Sequence, residues 1–184
     1  MAGVLAAWAT RYIDSSAREV GAPTAEVTAE VTEGRVEVTE SGRGRLAQDI
    51  SAGRHTWRAD EPPGVGDDTG PTPYDLLLSA LGACTSMTLR MFADRKRWPL
   101  EHISVTLTHQ RHHADDGRDC DNKPCMIDHF ERVVTLDGPL GEDQRTSLMA
   151  IAEKCPVHRT LINDKQIVTT LAEPAGSVGG PVDA

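Results

Sequence analysis

The sequence predicts an α+β fold: an antiparallel sheet meander with a long buried central helix and a second helix pair. Three observations carry this. Segments 25–32, 36–39, 46–50 and 55–59 are short, rich in Val and Thr, and separated by the turn glycines Gly34, Gly42, Gly44 and Gly53. Residues 74–97 form a long, mostly apolar run opened by Pro73 and closed by Pro99. Two further alternating segments, 103–113 and 129–136, precede a second helical pattern, and this order places helices against an antiparallel sheet.

The elements follow in order. Residues 1–24 read as a helical extension, with Val4, Leu5, Trp8, Tyr12 and Ile13 near helical spacing and Gly21 as a stop. Its polar face is not basic, so packing against protein is expected rather than membrane contact. The domain proper spans 25–172. In the central helix Leu76, Leu77, Leu78, Leu81, Leu89 and Phe92 point to every side, and a helix with no polar face is enclosed by protein. Residues 141–155 give a second helix with acidic residues in its first turn, where the helix dipole favours them. Residues 156–163 give a short third helix and 166–171 a last strand. The stretch 173–184, EPAGSVGGPVDA, reads as a disordered tail.

Composition narrows the function. The chain has 184 residues and a formal net charge of −9, which argues against nucleic acid or anionic lipid as partner. Aromatics are only 4% of the residues, too few for a base-stacking surface. No run reads as the roughly 18 apolar residues of a membrane span. The N-terminus has no basic region of a secretory signal. Four cysteines in a chain of this size suggest reduced thiols in the cytoplasm, with redox chemistry favoured over scaffolding.

Two cysteines stand out. Cys84 lies mid-helix among Ser79, Ala80, Gly82, Ala83, Thr85 and Ser86, small residues that allow a ligand or another backbone to approach. Apolar burial raises a thiol's pKa, so a nucleophilic Cys84 needs a cation or donor from elsewhere; otherwise it is a small core hydrophobe. Cys155 precedes Pro156, which suits the first position of a helix, and Lys154, His158 and Arg159 add positive potential. That environment suits a good leaving group in thiol exchange, or equally a helix junction that uses cysteine. His109, His112, His113, Cys120, Cys125 and His129 form a separate group on a strand–loop–strand region. Zinc, a local Cys120–Cys125 disulfide and a solvated polar loop all remain open there. The glycines of GVGDDTGP lack the flanking strand, helix and lysine of a phosphate cradle.

The run GPTPYDLLLSALGACTSMTLRMFADRK, the preceding HTWRADEP and the later GEDQRTSLMAIAEKCPVHRTL resemble the osmotically inducible protein C and organic hydroperoxide resistance (OsmC/Ohr) family. The resemblance spans about residues 28 to 172. It implies an intertwined homodimer with the central helices at its core and two active sites at the interface. It further implies that Cys84 attacks an organic hydroperoxide to give a sulfenic acid, which Cys155 converts to a Cys84–Cys155 disulfide. A dithiol reductant, often lipoyl-linked in that family, then restores the thiols; no cofactor or metal is implied. Trapping by a second thiol fits the need to halt oxidation at the sulfenic stage. Leu77, Leu81, Met87 and Met91 would suit fatty-acyl or aryl hydroperoxides.

One position departs from the family. Its peroxidases hold the cysteine ionised with an arginine and a glutamate, the latter ten residues before the cysteine. Tyr74 stands there in this chain, and Asp75 is one step on, turned by about 100°. The activating or pocket groups are therefore expected among Arg54, His55, Asp60, Glu61 and Asp75, with the arginine of the first strands being Arg35, Arg43 or Arg45. The expected function is a thiol-dependent peroxidase in oxidative-stress defence. The alternative is a binding or redox-sensing protein with a lipid or acyl pocket and little turnover.

Overall fold

The computed structural model describes residues 34–113 and 126–172. The N-terminal extension, the expected strand at 25–32, the loop with Cys120 and Cys125, and the tail all lie outside the described residues. So do the side chains of His112 and His113.

The described chain is α+β, as its sequence predicts. Strands β1 (Glu37–Glu40), β2 (Gln48–Ala52) and β3 (His55–Ala59) form one antiparallel sheet in the order β1-β2-β3. Helix α1 (Pro73–Lys96) follows, then the long hairpin of β4 (His102–His113) and β5 (Met126–Asp137), whose register runs from His102↔Asp137 to His113↔Met126. Helices α2 (Glu142–Ala152) and α3 (Pro156–Ile162) complete it. Among the described residues the strands form two antiparallel sheets.

Helix α1 starts on a reciprocal cap. The Thr72 hydroxyl accepts from the Asp75 amide at 3.1 Å, and Asp75 Oδ2 accepts from the Thr72 amide at 3.0 Å. It ends at Arg97, which takes a left-handed conformation (φ 55°) before Pro99. One face of α1 lies across β4, and α2 and α3 pack beside it. Leu89 and Ala93 of α1 meet Leu100, Leu136, Leu148 and Ala152 in the main core. Leu89 and Leu148 are fully enclosed, and each such burial contributes about 2 kcal/mol. Arg145 of α2 donates to the Leu136 and Gly138 carbonyls, tying the helix to the end of β5.

Three expectations need correction. Within one chain α1 is covered on one face only; Ser79, Ala83 and Met87 are exposed, because no described element lies on that side. Residues 166–171 do not pair as a strand: no described strand edge lies beside them, and Ile167, Val168 and Leu171 are exposed. Finally, α1 is long and apolar enough by length and composition to cross a membrane, with mean hydropathy 1.4 over its best window. Its Cys84, Thr85 and Thr88 are nonetheless enclosed by protein, which places the helix in a core.

Gly138 turns β5 toward α2 at φ +126°, and a Cβ there would run into the Pro99 carbonyl oxygen and crowd the Glu101 amide. Neither partner is a flexible side chain, so the clash cannot be relieved cheaply. Gly138→Ala is expected to lower unfolding stability by about 2 kcal/mol or more in urea titrations, through backbone strain.

Candidate active site: a buried thiol pair

Alternation along the β4–β5 hairpin decides what faces α1. Ile103, Val105, Leu107 and His109 of β4, and Phe130, Arg132, Val134 and Leu136 of β5, turn inward while their neighbours are exposed. A cation among apolar side chains must find partners. Arg132 does: its Nη1 donates to Thr85 Oγ1 at 3.0 Å and to the Ala152 carbonyl at 3.3 Å, and its Nη2 to Glu153 Oε1 at 2.8 Å. Glu153 Oε2 lies 3.1 Å from His158 Nε2, so one carboxylate bridges the arginine and the histidine. Glu153 is 60% exposed, and its pairing adds orientation more than stability.

Behind this bridge lie the two thiols. Cys84 of α1 and Cys155, the N-cap of α3, are both buried and free, packed with Leu81 and bordered by Leu107, Val157 and Leu161. The two side chains pack in one buried cluster. The turn that presents Cys155 is short: α2 ends at Ala152, the Cys155 amide donates to the Ala152 carbonyl at 3.3 Å, and Pro156 opens α3.

The donors around the sulfurs are unequal. Cys155 faces the backbone amides of Val157 and His158 and the Thr85 hydroxyl. Cys84 shares the Val157 amide and has the Thr88 hydroxyl near it, a buried group with no well-formed hydrogen bond. The neighbouring Cys84 thiol, with the amides and Thr85, outweighs burial and draws Cys155 down to about 6. The Cys155 thiol, together with burial, pushes Cys84 strongly up. The two thiols titrate as a coupled pair.

Beside the thiols opens a cavity of about 660 Å³. Leu77, Leu81, Phe130, Met149, Leu161 and Ile162 wall it, Arg132, Glu153 and His158 form its polar side, and Tyr74 and Asp128 complete the lining. Leu81 and Leu161 also pack on the cysteines, so they separate the cavity from the sulfurs. Tyr74 stacks on His109 with ring centroids 4.3 Å apart, and His109 and Arg111 both bind Asp128, at 2.9 and 3.0 Å. These two bonds hold the Asp128 carboxyl below the usual range.

Of the expected groups, Cys84 and Cys155 come together and Leu77 and Leu81 line the cavity; Met87 is exposed instead. The other expected groups lie away from the thiols within the described chain. Arg54 and His55 sit at the exposed β2–β3 turn, and Asp75 is occupied with capping Thr72. Asp60 is buried; burial acts to raise its pKa, but hydrogen bonds from Thr69, Glu61 and Asp67 prevail and lower it, and the carboxylate organises its own loop. Glu61 lies in that loop, its carbonyl accepting from the Asp68 amide. Arg35 pairs with Glu37 at 3.8 Å on the exposed β1 edge, and Arg43 and Arg45 belong to the β1–β2 connection. Within the chain, Arg132, Thr85 and Glu153 stand at the thiols instead. The readable signal for Arg132 was an arginine at an inward position of an alternating strand.

This scaffold and pair define an α+β protein with a buried dithiol. A family model described as OsmC-like protein matches residues 66–170, and the chain belongs to the OsmC-like family. Its structure is similar to that of an OsmC-like protein from Mycoplasma pneumoniae, at TM-score 0.55 and 18% identity over 69% of this chain and 85% of that one. It is also similar to an organic hydroperoxide resistance protein from Elizabethkingia anophelis, at TM-score 0.53 and 15% identity over 70% and 87%. An organic hydroperoxide resistance protein OsmC from Legionella pneumophila gives 0.51 and 18% over 70% and 88%. At such identities the likeness establishes the fold. No curated protein matches the sequence.

The two thiols predict opposite pH effects on stability. Cys155 is depressed on folding, so its contribution is complete above the unfolded value of about 8.5 and lost as pH falls through about 6. Cys84 is raised, so its contribution declines once pH passes the unfolded value. Urea titrations of reduced protein should therefore show the thiols' contribution rising from pH about 6 to about 8.5 and turning over above that. Subtracting the profile of a Cys84→Ala/Cys155→Ala protein isolates it, and a flat difference would remove the assignment.

Proposed function

We propose that this protein is a thiol-dependent peroxidase that reduces organic hydroperoxides to alcohols, in defence against oxidative stress. The observation that carries the reading is the contact between the buried thiols of Cys84 and Cys155 beside an apolar cavity. Cys84 Sγ attacks the terminal peroxide oxygen; an S–O bond forms, the O–O bond breaks and the alcohol leaves. Cys155 then attacks the Cys84 sulfenic sulfur, forming the disulfide and releasing water. A small dithiol, lipoyl-linked or similar, returns both thiols. The apolar wall of Leu77, Leu81, Phe130 and Met149 suits fatty-acyl or aryl hydroperoxides over hydrogen peroxide.

The working form in this proposal is a homodimer. The uncovered Ser79–Ala83–Met87 face of α1 and the exposed Val36, Val38 and Trp57 of the first sheet are surfaces a second copy would cover. A reducing compartment such as the cytoplasm suits thiols that must be free at rest. A second reading, acyl binding or redox sensing with little turnover, draws on Tyr74, which lines the cavity where the family's peroxidases carry a carboxylate.

Intact-mass measurement after one equivalent of cumene hydroperoxide separates the two readings. Loss of two hydrogens per chain, with alcohol formed in equal amount, is expected of the peroxidase; unchanged mass supports the binder. Cys84→Ser should abolish turnover with a dithiol. Cys155→Ser should leave a single slow oxidation that inactivates the protein. Full turnover by Cys84→Ser would end the assignment.

A further inference from the structure

The geometry points to Arg132 as a positioning residue for the step that joins the two sulfurs: its guanidinium clamps the turn bearing Cys155 to the segment of α1 bearing Cys84. This deepens the proposed peroxidase reading and rests on it. The sulfurs cannot hold that geometry by themselves. Their cluster is small, Leu81, Cys84 and Cys155 with Leu107, Val157 and Leu161 at its border, and apolar contacts have no direction. A disulfide is more demanding, with Cβ atoms about 3.5–4.5 Å apart and Cα atoms within about 7 Å.

Arg132 brackets both thiols. Its Nη1 donates to Thr85 Oγ1, next to Cys84, at 3.0 Å and to the Ala152 carbonyl at 3.3 Å. That carbonyl also accepts from the Cys155 amide. Nη2 donates to Glu153 Oε1 at 2.8 Å, and Glu153 Oε2 lies 3.1 Å from His158 Nε2 in α3. Anchors thus stand on both sides of Cys155, at Ala152 and Glu153 before it and at His158 after it. Thr85 is a fixed handle, because its hydroxyl gives its one proton to the Leu81 carbonyl at 2.8 Å while accepting from Arg132. It is turned by about 100° from Cys84 around α1, so the clamp grips the helix beside the sulfurs rather than between them. A cation only 10% exposed costs desolvation that an apolar residue at the same inward position would avoid. What the planar fork adds, and an apolar side chain does not, is direction.

The step it serves is a race. After the first oxidation the Cys155 sulfur attacks the Cys84 sulfenic sulfur: an S–S bond forms, the S–O bond breaks, and the hydroxyl leaves with the Cys155 proton as water. A second hydroperoxide competes by passing its terminal oxygen to the same sulfur, leaving a sulfinic acid and a second alcohol. That bimolecular oxidation does not depend on where Cys155 stands. Closure of the disulfide does, because it is intramolecular and its rate follows alignment. Arg132 therefore acts on the second step and not on the first.

The test uses full-length protein carrying Cys120→Ser and Cys125→Ser, so that only this pair reacts. Cumene hydroperoxide is mixed with reduced protein and intact mass is followed after quenching. In Arg132→Met, loss of the reduced form should keep the parent's rate within about twofold, while disulfide formation slows about tenfold and chains with two added oxygens accumulate. Arg132→Lys keeps the charge without the fork and should resolve as slowly as Arg132→Met. Thr85→Val should match Arg132→Met, Thr85→Ser should match the parent, and Thr85→Val/Arg132→Met should be no slower than either single change. Glu153 is 60% exposed, so Glu153→Ala loosens the clamp without opening the core; it should slow closure about threefold even if Arg132→Met does not fold. Parent-like closure in Arg132→Met or, where that protein does not fold, in Glu153→Ala overturns the inference. So does full recovery by Arg132→Lys, a double variant slowed by the product of the two effects, or a slower first oxidation with closure unchanged.

Equilibrium in a glutathione buffer reads the clamp with no hydroperoxide present. Oxidised glutathione takes both thiol hydrogens with their electrons, leaving the Cys84–Cys155 disulfide and two reduced glutathiones. The glutathione ratio at half-oxidation gives the pair's effective concentration, which Arg132→Met should lower about tenfold. An unchanged ratio refutes the clamp. If hydroperoxides oxidise no thiol in the parent, the peroxidase reading fails instead, while this equilibrium still tests Arg132.

Discussion

The packing of Cys84 against Cys155 is the point on which the described elements near the site converge. Helix α1 contributes one sulfur and the turn between α2 and α3 the other. Strand β5 reaches across with Arg132, which binds Thr85 on α1 and the C-terminal end of α2 at once. Two buried sulfurs alone would be a soft, poorly directed contact. The guanidinium fork sets the spacing of three elements, and the sulfurs inherit it. The main core around Leu89 and Leu148 lies farther along α1 and packs the helix against β4 and α2.

Several parts of this arrangement were readable in the sequence. The Pro73 start, the Pro99 stop and the apolar run between them are local signals, and α1 spans Pro73–Lys96. The 103–113 and 129–136 alternations gave the hairpin to within a few residues because period-two patterning is strong when one face is buried. Cys155 before Pro156 marked the helix junction. The polar groups beside the sulfurs were harder to read. Arg132, Thr85 and Glu153 are brought together by the hairpin register and the angle of α2, and neither is written in any short window. Family pattern pointed instead to Arg54, His55, Glu61 and Asp75, which one chain spends on a surface turn, a loop and a helix cap. The strand expected at 166–171 failed for a related reason: its Val and Ile content is local, but a strand exists only where an edge accepts it.

The charge distribution has its own logic. A thiolate at Cys84 would have to hold its charge on one shared amide and the Thr88 hydroxyl in apolar surroundings. Cys155 has more polar groups about it, the Val157 and His158 amides and the Thr85 hydroxyl, and its thiol is drawn down rather than up. The Tyr74, His109, Arg111 and Asp128 group is built differently: its cation and carboxylate compensate each other at the surface, and it frames the cavity without adding net charge.

Leu81 and Leu161 stand between the cavity and the sulfurs, and Cys84 and Cys155 are 6% and 0% exposed. From this cavity a molecule reaches the thiols past these leucines, which must change rotamer to admit it. The screen therefore sorts by residence as well as fit: a molecule that lingers against the leucines is present when they part, while one that only collides is turned back. Two ordinary aliphatic side chains would then set how often the chemistry behind them is tried.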